Sequence, residues 1–449
     1  MASATSPAAS TPDSNPWTPE DEIFWAHTGS AVAWRTLAIT TFNLTLAFAT
    51  WFMVSAIAVR LNGIGFQFSS SQLFWLTAMP GFAGGSLRIL HTFFIPIFGT
   101  RQTVTWATLS LVLPCIGWTW AVQDPTTPYW VLLTLAFFAG LGGGNFSSFM
   151  PSTSLFFPKR LQGTALGIQA GVGNFGVSIA QLAIPWIVGF SLPFSLFDQP
   201  QSFTHSGQTT DLWMQSAAIV WIPWILLGTA IAWFGLRSVP VHASFAQQTD
   251  IFREKHTWIM TSLYLMTFGS FSGFSATFPL LIRELFGSFA NAPDPLTYAF
   301  LGPLVGSAAR VAFGPLSDRF GGARVTMVSA VGLLITAVAI TRFTEPTSLD
   351  SFPYFVACML SLFLFSGIGN ASTFKQIPAI FPPRQAGGVI GWTAAAAAYG
   401  PFLFSGLISL AIEATGKTTW FFFGAAGFYG ANIVLNWWYY ARRGAEKPC

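Results

Sequence analysis

Apolar residues in this chain occur in long blocks, separated by short segments that contain Pro, Gly and charged residues. Many blocks reach about 20 residues, the length that an α-helix needs to cross the hydrocarbon core of a bilayer. Alternating barrel strands are not visible, and inside lipid only helices or closed barrels satisfy every backbone polar group. The pattern therefore predicts an all-α membrane protein with twelve transmembrane helices, near residues 33–59, 71–97, 102–122, 128–156, 163–192, 212–236, 257–286, 296–316, 324–342, 352–380, 385–412 and 418–441.

The longest polar interruption between these predicted helices, residues 237–256, lies at the midpoint of the chain. Sequences repeat on either side of it: G-G-G-N-F-S-S-F at 142–149 matches G-I-G-N-A-S-T-F at 367–374, with Asn145 aligned on Asn370. We therefore predict two pseudo-symmetric six-helix bundles, an N-terminal one at 33–236 and a C-terminal one at 257–442, joined by a cytoplasmic linker. Repeats of this kind place a substrate between the halves, near the bilayer midplane.

The segments outside the predicted helices suggest an orientation. Residues 1–32 have neither a basic start nor an apolar run, so we expect a disordered cytoplasmic tail rather than a cleavable signal peptide. Residues 443–449 form a second short tail. Basic residues accumulate in cytoplasmic segments. With cytoplasmic termini, thirteen basic residues fall inside and four outside: Arg35, Arg101, Lys159, Arg160, Arg237, Arg253, Lys255, Arg319, Arg324, Arg384, Arg442, Arg443 and Lys447, against Arg60, Arg283, Arg342 and Lys417.

Composition supports this class and narrows the chemistry. Charged residues make up 8% of the chain and hydrophobic residues 52%, whereas soluble domains are about 25% charged. The three cysteines lie in apolar runs or at the last position, so we expect neither disulfides nor a metal site. No nucleotide-binding glycine pattern is present. We expect a multi-pass protein of the plasma membrane that needs no cofactor, contacts lipid but no nucleic acid, and functions as a monomer.

Two arginines lie deep within predicted helices. Arg88, in G-G-S-L-R-I-L-H, and Arg310, in G-S-A-A-R-V-A-F, each fall in the second helix of their half. A charged residue at this depth is costly and indicates function by default. The alternative is snorkelling of each side chain to a helix end, which does not explain why both halves keep an arginine at the same depth. We predict that the pair binds a substrate.

The acidic residues identify the kind of substrate. All sixteen of them fall in the tail, the loops or the helix ends, so no carboxylate is available at the depth of the arginines. A buried guanidinium without a counter-ion is unstable, so its natural partner is a small anion held by bidentate hydrogen bonds. A flat oxyanion such as nitrate fits this description. No nucleophile, metal set or carboxylate pair lies within the predicted helices, so we do not expect an enzyme.

Two further titratable residues lie within predicted helices, and each has two interpretations. His91, one turn beyond Arg88, would carry the proton in a proton-coupled carrier. Its charged form is disfavoured beside an arginine, so the alternative is a neutral hydrogen-bonding residue. Lys375 would either snorkel to the inner surface or face the pore and attract anions. Exchange of one anion for another would need no proton site.

The chain also resembles a known family. G-P-L-S-D-R-F-G-G-A-R at 314–324 is similar to the loop signature of the major facilitator superfamily, with P-I-F-G-T-R at 96–101 as a degenerate copy that lacks the Asp. The resemblance implies a cytoplasmic gating cluster of Asp318, Arg319 and Arg324, and an asymmetric inner lock. A-G-L-G-G-G-N-F-S-S-F-M at 139–150 and S-G-I-G-N-A-S-T-F at 366–374 resemble the paired signatures of the nitrate/nitrite porter family. The signature residues are Gly142, Gly143, Gly144, Asn145, Gly367, Gly369 and Asn370.

The resemblance to this family, which also extends to L-Y-L-M-T-F-G-S-F-S-G-F at 263–274, implies substrate-binding roles. The family's arginines fall on Arg88 and Arg310, and its aromatic and polar pocket residues fall on Phe146, Asn174, Tyr264 and Phe268. The implied function is alternating-access transport of nitrate and nitrite, with nitrate uptake coupled to nitrite export. Proton-coupled nitrate symport is the alternative, and an anion channel or a nitrate receptor is a third.

Overall fold

The computed structural model describes residues 17–92, 94–191, 199–205, 208–239 and 250–449. Within these ranges the chain forms twelve long helices and one β-hairpin. The helices are α1 Glu22–Ala58, α2 Ser70–His91, α3 Phe94–Ala121, α4 Tyr129–Ser154, α5 Lys159–Ile187, α6 Ser216–Gly235, α7 Lys255–Phe286, α8 Pro295–Phe320, α9 Gly322–Phe343, α10 Leu349–Ile380, α11 Pro383–Ala397 with Gly400–Thr415, and α12 Thr419–Asn436 with Trp437–Ala441. The backbone of α3 is interrupted at Gly99, where φ is 73°. The hairpin, between α5 and α6, consists of β1 Gln201–His205 and β2 Gln208–Leu212.

Ten of the helices are long and apolar enough to cross a membrane, and α2 and α12 complete the predicted twelve. The local sequence explains where α2 and α8 begin. Ser69 and Gln72 form a capping box at the start of α2, which satisfies backbone donors that have no partner inside the helix. Asp294 caps α8 by accepting from the Leu296 amide at 3.0 Å, and Pro295 occupies the first helical position.

The two halves of the chain pack in the same way. In the first half the main pairs are α1 with α5, α2 with α4, and α3 with α6. The second half repeats them as α7 with α11, α8 with α10, and α9 with α12. The halves meet where α2 packs against α11 and where α5 packs against α8. These two contacts correspond to each other, because the repeat aligns α2 with α8 and α5 with α11. The predicted pseudo-symmetry is therefore present, and it places both arginine-bearing helices at the boundary between the halves.

The predicted segment boundaries need two corrections. α1 begins at Glu22, because the Asp21 carboxylate accepts from the Ile23 and Phe24 amides; the expected disordered tail is therefore wrong for residues 22–32, and residues 1–16 lie outside the described ranges. α7 begins at Lys255, so it takes over the end of the expected linker 237–256, of which 240–249 are also outside those ranges. The tail 443–449 packs on the protein, where the Cys449 carbonyl accepts from the Ala323 amide at 3.1 Å.

The two ends of the helical bundle differ in how tightly the halves meet. We call the end at which α1 begins and α12 ends the terminal end, and the other the hairpin end. At the hairpin end, Arg60 forms an ion pair of 2.5 Å with Asp294 of the other half. Further hydrogen bonds between the halves join Ser70 to Glu284 and Thr77 to Ser405. The halves are thus closed on each other at the hairpin end.

Towards the terminal end, the same interface is open. Gly163, Gly167 and Gly171 recur at every fourth position of α5 and so share one face. A Cβ built on Gly171 would contact Val311 of α8, but at Gly163 and Gly167 nothing lies within 4 Å. The repeat-related glycines of α11, Gly387 and Gly391, also face open space. The structure therefore shows a conformation in which the interface between the halves is closed at the hairpin end and open at the terminal end.

Candidate anion-binding site

Arg88 lies on α2 with its side chain fully buried. Its Nε donates to the carbonyl oxygen of Gly143 at 2.8 Å, and its Nη1 donates to the carbonyl oxygen of Ala394 at 2.6 Å. Gly143 belongs to α4 of the same half, whereas Ala394 belongs to α11 of the other half. Within the described ranges Nη2 has no hydrogen-bond partner, so part of the guanidinium fork remains available for a ligand.

Arg310 holds the corresponding position on α8 and is 6% exposed. Its Nη2 lies 3.5 Å from the hydroxyl oxygen of Tyr264. With the Asn174 amide oriented so that it donates to the Ala170 carbonyl, its oxygen accepts from Nη1 of Arg310 at 3.2 Å. Asn174 lies on α5, in the other half. Each arginine therefore forms a hydrogen bond across the boundary between the halves, Arg88 with α11 and Arg310 with α5. Because the repeat aligns α5 with α11, the two contacts correspond to each other.

Aromatic rings connect the two guanidiniums. The rings of Tyr264 and Phe268 are stacked, with centroids 5.6 Å apart and planes 8° apart. Phe268 in turn stacks on Phe146 of the other half, at 6.4 Å and 30°. The Cζ atom of Arg88 lies 4.6 Å from the Phe146 ring and 5.3 Å from the Phe268 ring. These contacts are within the range of cation–π attraction, which stabilises the buried charge in the absence of a carboxylate.

The position of the stacked pair depends on a break in helix α7. The segment Leu265–Gly269 forms a π-helical turn, between the α-helical stretches Lys255–Tyr264 and Ser270–Phe286. Such turns are rare and often occur at functional sites, because they rotate the side chains that follow. Here Tyr264 directly precedes the turn and Phe268 lies within it. The sequence alone gave no signal for it.

Three residues that the sequence did not single out contribute to the site. The Trp51 ring lies 5.6 Å from Cζ of Arg88, and its Nε1 donates to the Pro80 carbonyl at 2.8 Å. The Phe374 ring lies 5.4 Å from Cζ of Arg310. Phe374 is the last residue of the repeat at 367–374, and this position could have identified it as a site residue. No sequence feature could have identified Ala394, because it contributes a backbone carbonyl, which every residue has.

Electrostatically the site is a pair of cations without a protein counter-ion. No carboxylate forms an ion pair with Arg88 or Arg310 in the described part of the chain. Burying a guanidinium is expensive unless something compensates its charge. Backbone carbonyls, ring faces and the Tyr264 hydroxyl supply only partial charges. A small anion would complete the compensation.

The signature glycines lie at close helix crossings. A Cβ on Gly142 would come within 2.0 Å of the Ala47 carbonyl oxygen, and one on Gly143 within 2.9 Å of the Gly84 Cα atom. In the second half, a Cβ on Gly367 would lie 2.2 Å from the Gly306 carbonyl oxygen. Small residues at such crossings let membrane helices approach closely. Gly144 and Gly369 are equally confined, so the glycines of both signatures position α4 and α10 beside the arginine helices.

The signature asparagines are buried polar groups with unused hydrogen-bonding capacity. Asn370 is fully buried, and neither its Oδ1 nor its Nδ2 has a partner within the described ranges. Asn145 donates to the Ala107 carbonyl at 3.4 Å, while its Oδ1 is likewise unpaired there. Buried amides usually satisfy both functions. Asn370 is therefore a further candidate for contact with a ligand or water.

His91 and Lys375 lie in different surroundings. His91 is buried one turn beyond Arg88, and its Nδ1 lies 2.9 Å from the Ser148 hydroxyl of the same half. The ammonium group of Lys375, on α10, forms an ion pair with Asp318 of α8. Neither interpretation of Lys375 offered by the sequence included this pair. Lys375 is half-exposed and its charge is compensated, so it is not a free cation of the pore.

The gating residues are placed at the end of α8 and the start of α9. The Asp318 carboxylate forms an ion pair with Lys375, and within the described ranges no ion pair joins Asp318 to Arg319 or Arg324. Arg319 and Arg324 are exposed. The expected cluster of Asp318 with its neighbouring arginines is therefore not present in this conformation. The pair that forms instead links two helices of one half and leaves the boundary between the halves free.

Comparison with known proteins decides the family. Residues 296–448 match the Major Facilitator Superfamily. The probable nitrate/nitrite antiporter NarK2 of Thermus thermophilus is 65% identical over 434 residues, which cover 96% of this chain and 97% of that protein. The nitrate/nitrite transporter NarU of Salmonella typhimurium is 36% identical, over 95% of this chain and 96% of its own length. This chain belongs to the nitrate/nitrite porter family of the major facilitator superfamily.

The solved structures support the fold of this porter. The crystal structure of a D-xylose-proton symporter superposes on it with a TM-score of 0.66 and 14% sequence identity, covering 90% of the porter and 97% of the symporter. At this identity the likeness concerns the fold alone. The predicted architecture and the family resemblance are thus confirmed. The roles of the individual site residues remain predictions.

Proposed function

We propose that this porter transports nitrate and nitrite across the membrane by alternating access, and that it exchanges nitrate taken up for nitrite released. One observation carries the proposal: two buried guanidiniums, one from each half, meet on the same aromatic stack without a carboxylate partner. The relatives named as a nitrate/nitrite antiporter and a nitrate/nitrite transporter support the same substrates. We do not assign an enzymatic activity.

The shape and charge of the site suit a planar oxyanion. Guanidinium groups present coplanar N–H donors that match two oxygens of such an anion. The free Nη2 of Arg88 and the weak 3.5 Å contact of Arg310 with Tyr264 leave donors on both sides. The faces of Phe146 and Phe268 would flank the anion and keep it in the plane of the donors. One negative charge would be shared by two arginines.

The contacts across the boundary explain how binding would drive the conformational change. An anion between Arg88 and Arg310 would lower the repulsion between two like charges, so that the halves can approach at the open terminal end. The faces of Gly163, Gly167, Gly387 and Gly391 are free to form the new contact. Without an anion, two buried cations would face each other during the transition. We therefore expect obligatory exchange.

We further propose that the porter is a monomer in a bacterial inner membrane, with both termini in the cytoplasm. The basic residues of the terminal-end segments support this orientation by the positive-inside rule. The open end of the structure would then face the cytoplasm. In this orientation the hairpin and the Arg60–Asp294 ion pair close the site from the outside.

The decisive experiment is uptake of labelled nitrate by proteoliposomes preloaded with nitrite or with buffer, each with and without an imposed pH gradient. We expect uptake that requires internal nitrite and is unaffected by the gradient. Uptake into buffer-loaded vesicles that follows the gradient would instead establish proton symport. In that case His91→Gln should abolish the dependence on the gradient, because His91 is the titratable residue buried nearest to Arg88 along α2.

A further inference from the structure

A second group of basic side chains surrounds a cavity at the hairpin end. The cavity has a volume of about 240 Å³ and lies between the end of α1, strand β1 and the ends of α7 and α8. Its polar lining consists of Arg60, Asn62, Thr204 and Arg283. Both halves of the porter contribute to it. It is separate from the site between Arg88 and Arg310, because none of its lining residues contacts that pair.

Arg60 is the buried member of this group. It is 7% exposed, and the Phe203 ring of strand β1 covers its guanidinium at 4.7 Å. Its Nη2 donates to the Asp294 carboxylate at 2.5 Å, across the boundary between the halves. Its Nε is buried and has no hydrogen-bond partner within the described ranges. Arg60 therefore lines the cavity and carries an unused hydrogen-bond donor, and both features point to a ligand.

Arg283 supplies a second positive charge to the same cavity. It is half-buried near the end of α7, and no carboxylate forms an ion pair with it in the described part of the chain. The carboxylate of its neighbour Glu284 accepts a hydrogen bond of 2.5 Å from the Ser70 hydroxyl. Asp294 is thus the acid that pairs with Arg60, while Glu284 lies near enough to Arg283 to interact with its charge. Among the described residues, the cavity lining itself contains two arginines and no carboxylate, which favours small anions.

We propose that this cavity is a second oxyanion site, at which Arg60 and Arg283 bind nitrate on its way to the central site. The inference rests on the proposed function. Water occupies about 30 Å³ per molecule in the liquid, so the cavity has room for a small anion that keeps part of its hydration. An anion that keeps part of its hydration between one buried and one half-buried arginine binds weakly and leaves easily, as capture along a transport path requires.

Binding there would also act on the closed end. Arg60 holds the halves together through Asp294, which at the same time caps α8. An anion that accepts from Arg60 competes with Asp294 for the same guanidinium and weakens this contact. The hairpin end would then open more readily when nitrate is present outside. The site would thus couple arrival of the substrate to opening of the route towards Arg88.

The test uses a cysteine at Thr204, an exposed residue of the cavity lining, in the full-length porter. The rate at which an impermeant maleimide labels Thr204→Cys is measured by peptide mass spectrometry, with sodium nitrate or with sodium gluconate of equal ionic strength. The background carries Arg88→Gln and Arg310→Gln, so that binding to the central site makes no contribution. We expect nitrate to slow labelling about threefold or more, and Arg283→Gln to remove the protection.

Arg342→Gln is the matched control, because Arg342 is an exposed arginine of the hairpin end that does not line the cavity. It should leave the protection intact. Transport gives an independent readout: Arg283→Gln should raise the external KM for nitrate about fivefold, the effect of one partly screened charge, whereas Arg342→Gln should not.

Two outcomes would overturn the inference. Equal labelling rates in nitrate and in gluconate would mean that only ionic strength acts on the cavity. Equal effects of Arg283→Gln and Arg342→Gln on the protection would mean that a general surface potential attracts nitrate. Failure of the proposed function looks different, since Arg88→Gln would then leave exchange active in vesicles. Labelling at Thr204→Cys does not depend on transport, so the two results can be told apart.

Discussion

Nη1 of Arg88 lies 2.6 Å from the carbonyl oxygen of Ala394, across the boundary between the two halves. Two of the three nitrogens of this guanidinium therefore already have partners. Arg88 is held by one carbonyl from each half, Gly143 and Ala394, while Nη2 remains unpaired. An arriving anion would first use Nη2 and could then displace the Ala394 carbonyl. Substrate binding would in this way release a contact between the halves rather than only add one.

Arg88→Lys tests this arrangement. A lysine keeps the positive charge but cannot reproduce the planar fork that contacts Gly143, Ala394 and an anion together. We expect nitrate affinity to fall at least thirtyfold, about 2 kcal/mol, the lower end of the cost of losing one partner of a buried charged pair. Binding of nitrate by purified protein is the measurement, with Arg342→Lys as the control. Unchanged affinity would show that charge alone suffices.

Tyr264→Phe removes a hydroxyl and keeps the ring. The stack on Phe268 should survive, whereas Arg310 loses its 3.5 Å contact with the hydroxyl oxygen. A well-formed hydrogen bond to a charged group contributes about 1.5 kcal/mol; because this contact is long, we expect a smaller effect, a rise of about threefold in the KM of exchange with little change in thermal stability. The KM measured in proteoliposomes decides the question. A variant with normal KM would remove the hydroxyl from the site.

Gly142→Ala should destabilise the porter. The added methyl group would lie 2.0 Å from the carbonyl oxygen of Ala47, a backbone atom that can move only with helix α1. Forcing extra volume into a packed interface costs about 1–3 kcal/mol. The melting temperature in detergent is the measurement. Gly427→Ala on α12 is the control, because nothing lies within 4 Å of its Cβ position, and it should melt with the wild type.

Gly167→Leu should slow transport without preventing binding. The substitution projects into the open part of the interface at the terminal end, where Gly167 now has nothing within 4 Å. The larger side chain is compatible with the open conformation but obstructs the approach of the halves. We expect exchange to fall at least tenfold at saturating nitrate, while nitrate affinity changes little. If exchange stays normal, this glycine face is not a closing surface.

Cys449 reports on the docking of the last residues. Burial raises the pKa of its thiol to about 11, from an ordinary value of 9.0, and Glu446 anchors the same segment through an ion pair of 2.6 Å with Lys255. Glu446→Gln should release the segment and return the thiol towards its ordinary pKa. Because the thiolate is the reactive form, alkylation of Cys449 at neutral pH should accelerate at least tenfold.

The matched control for this measurement is Glu345→Gln at the hairpin end. It removes a comparable exposed ion pair, the 2.6 Å contact with Lys417, but leaves the last residues untouched. Alkylation of Cys449 should then proceed as in the wild type, and a pH series should show the higher pKa in this variant. Equal rates in both variants would mean that Glu446 does not hold the segment.

The helices, the two halves and the arginine pair could be predicted from the sequence, because hydrophobic blocks, internal repeats and charges buried in lipid leave direct marks. Contacts between distant positions leave none. Lys375 and Asp318 each had a separate interpretation, and their ion pair joins two helices whose relative position the sequence does not give. The carbonyl of Ala394 and the π-turn at Leu265–Gly269 are backbone features that no side-chain pattern encodes.

The start of α1 shows a different reason for error. Asp21 looked like one of several acids of a polar tail, yet its carboxylate caps a helix that runs on into the membrane. Composition separates polar from apolar segments but does not separate a helix end from a disordered segment. The composition of the polar segment before α6 likewise does not predict the pairing of β1 with β2.

If the anion binds between Phe146 and Phe268, the spacing of these two rings would also limit its thickness. The ring centroids are 6.4 Å apart, whereas a flat molecule lying between two rings needs roughly 7 Å, twice a van der Waals separation of about 3.5 Å. The rings must part by about half an ångström to admit a planar anion. A tetrahedral oxyanion carries an oxygen above its own plane and needs a much wider gap. We therefore expect the gap between these two rings to favour planar anions over tetrahedral ones.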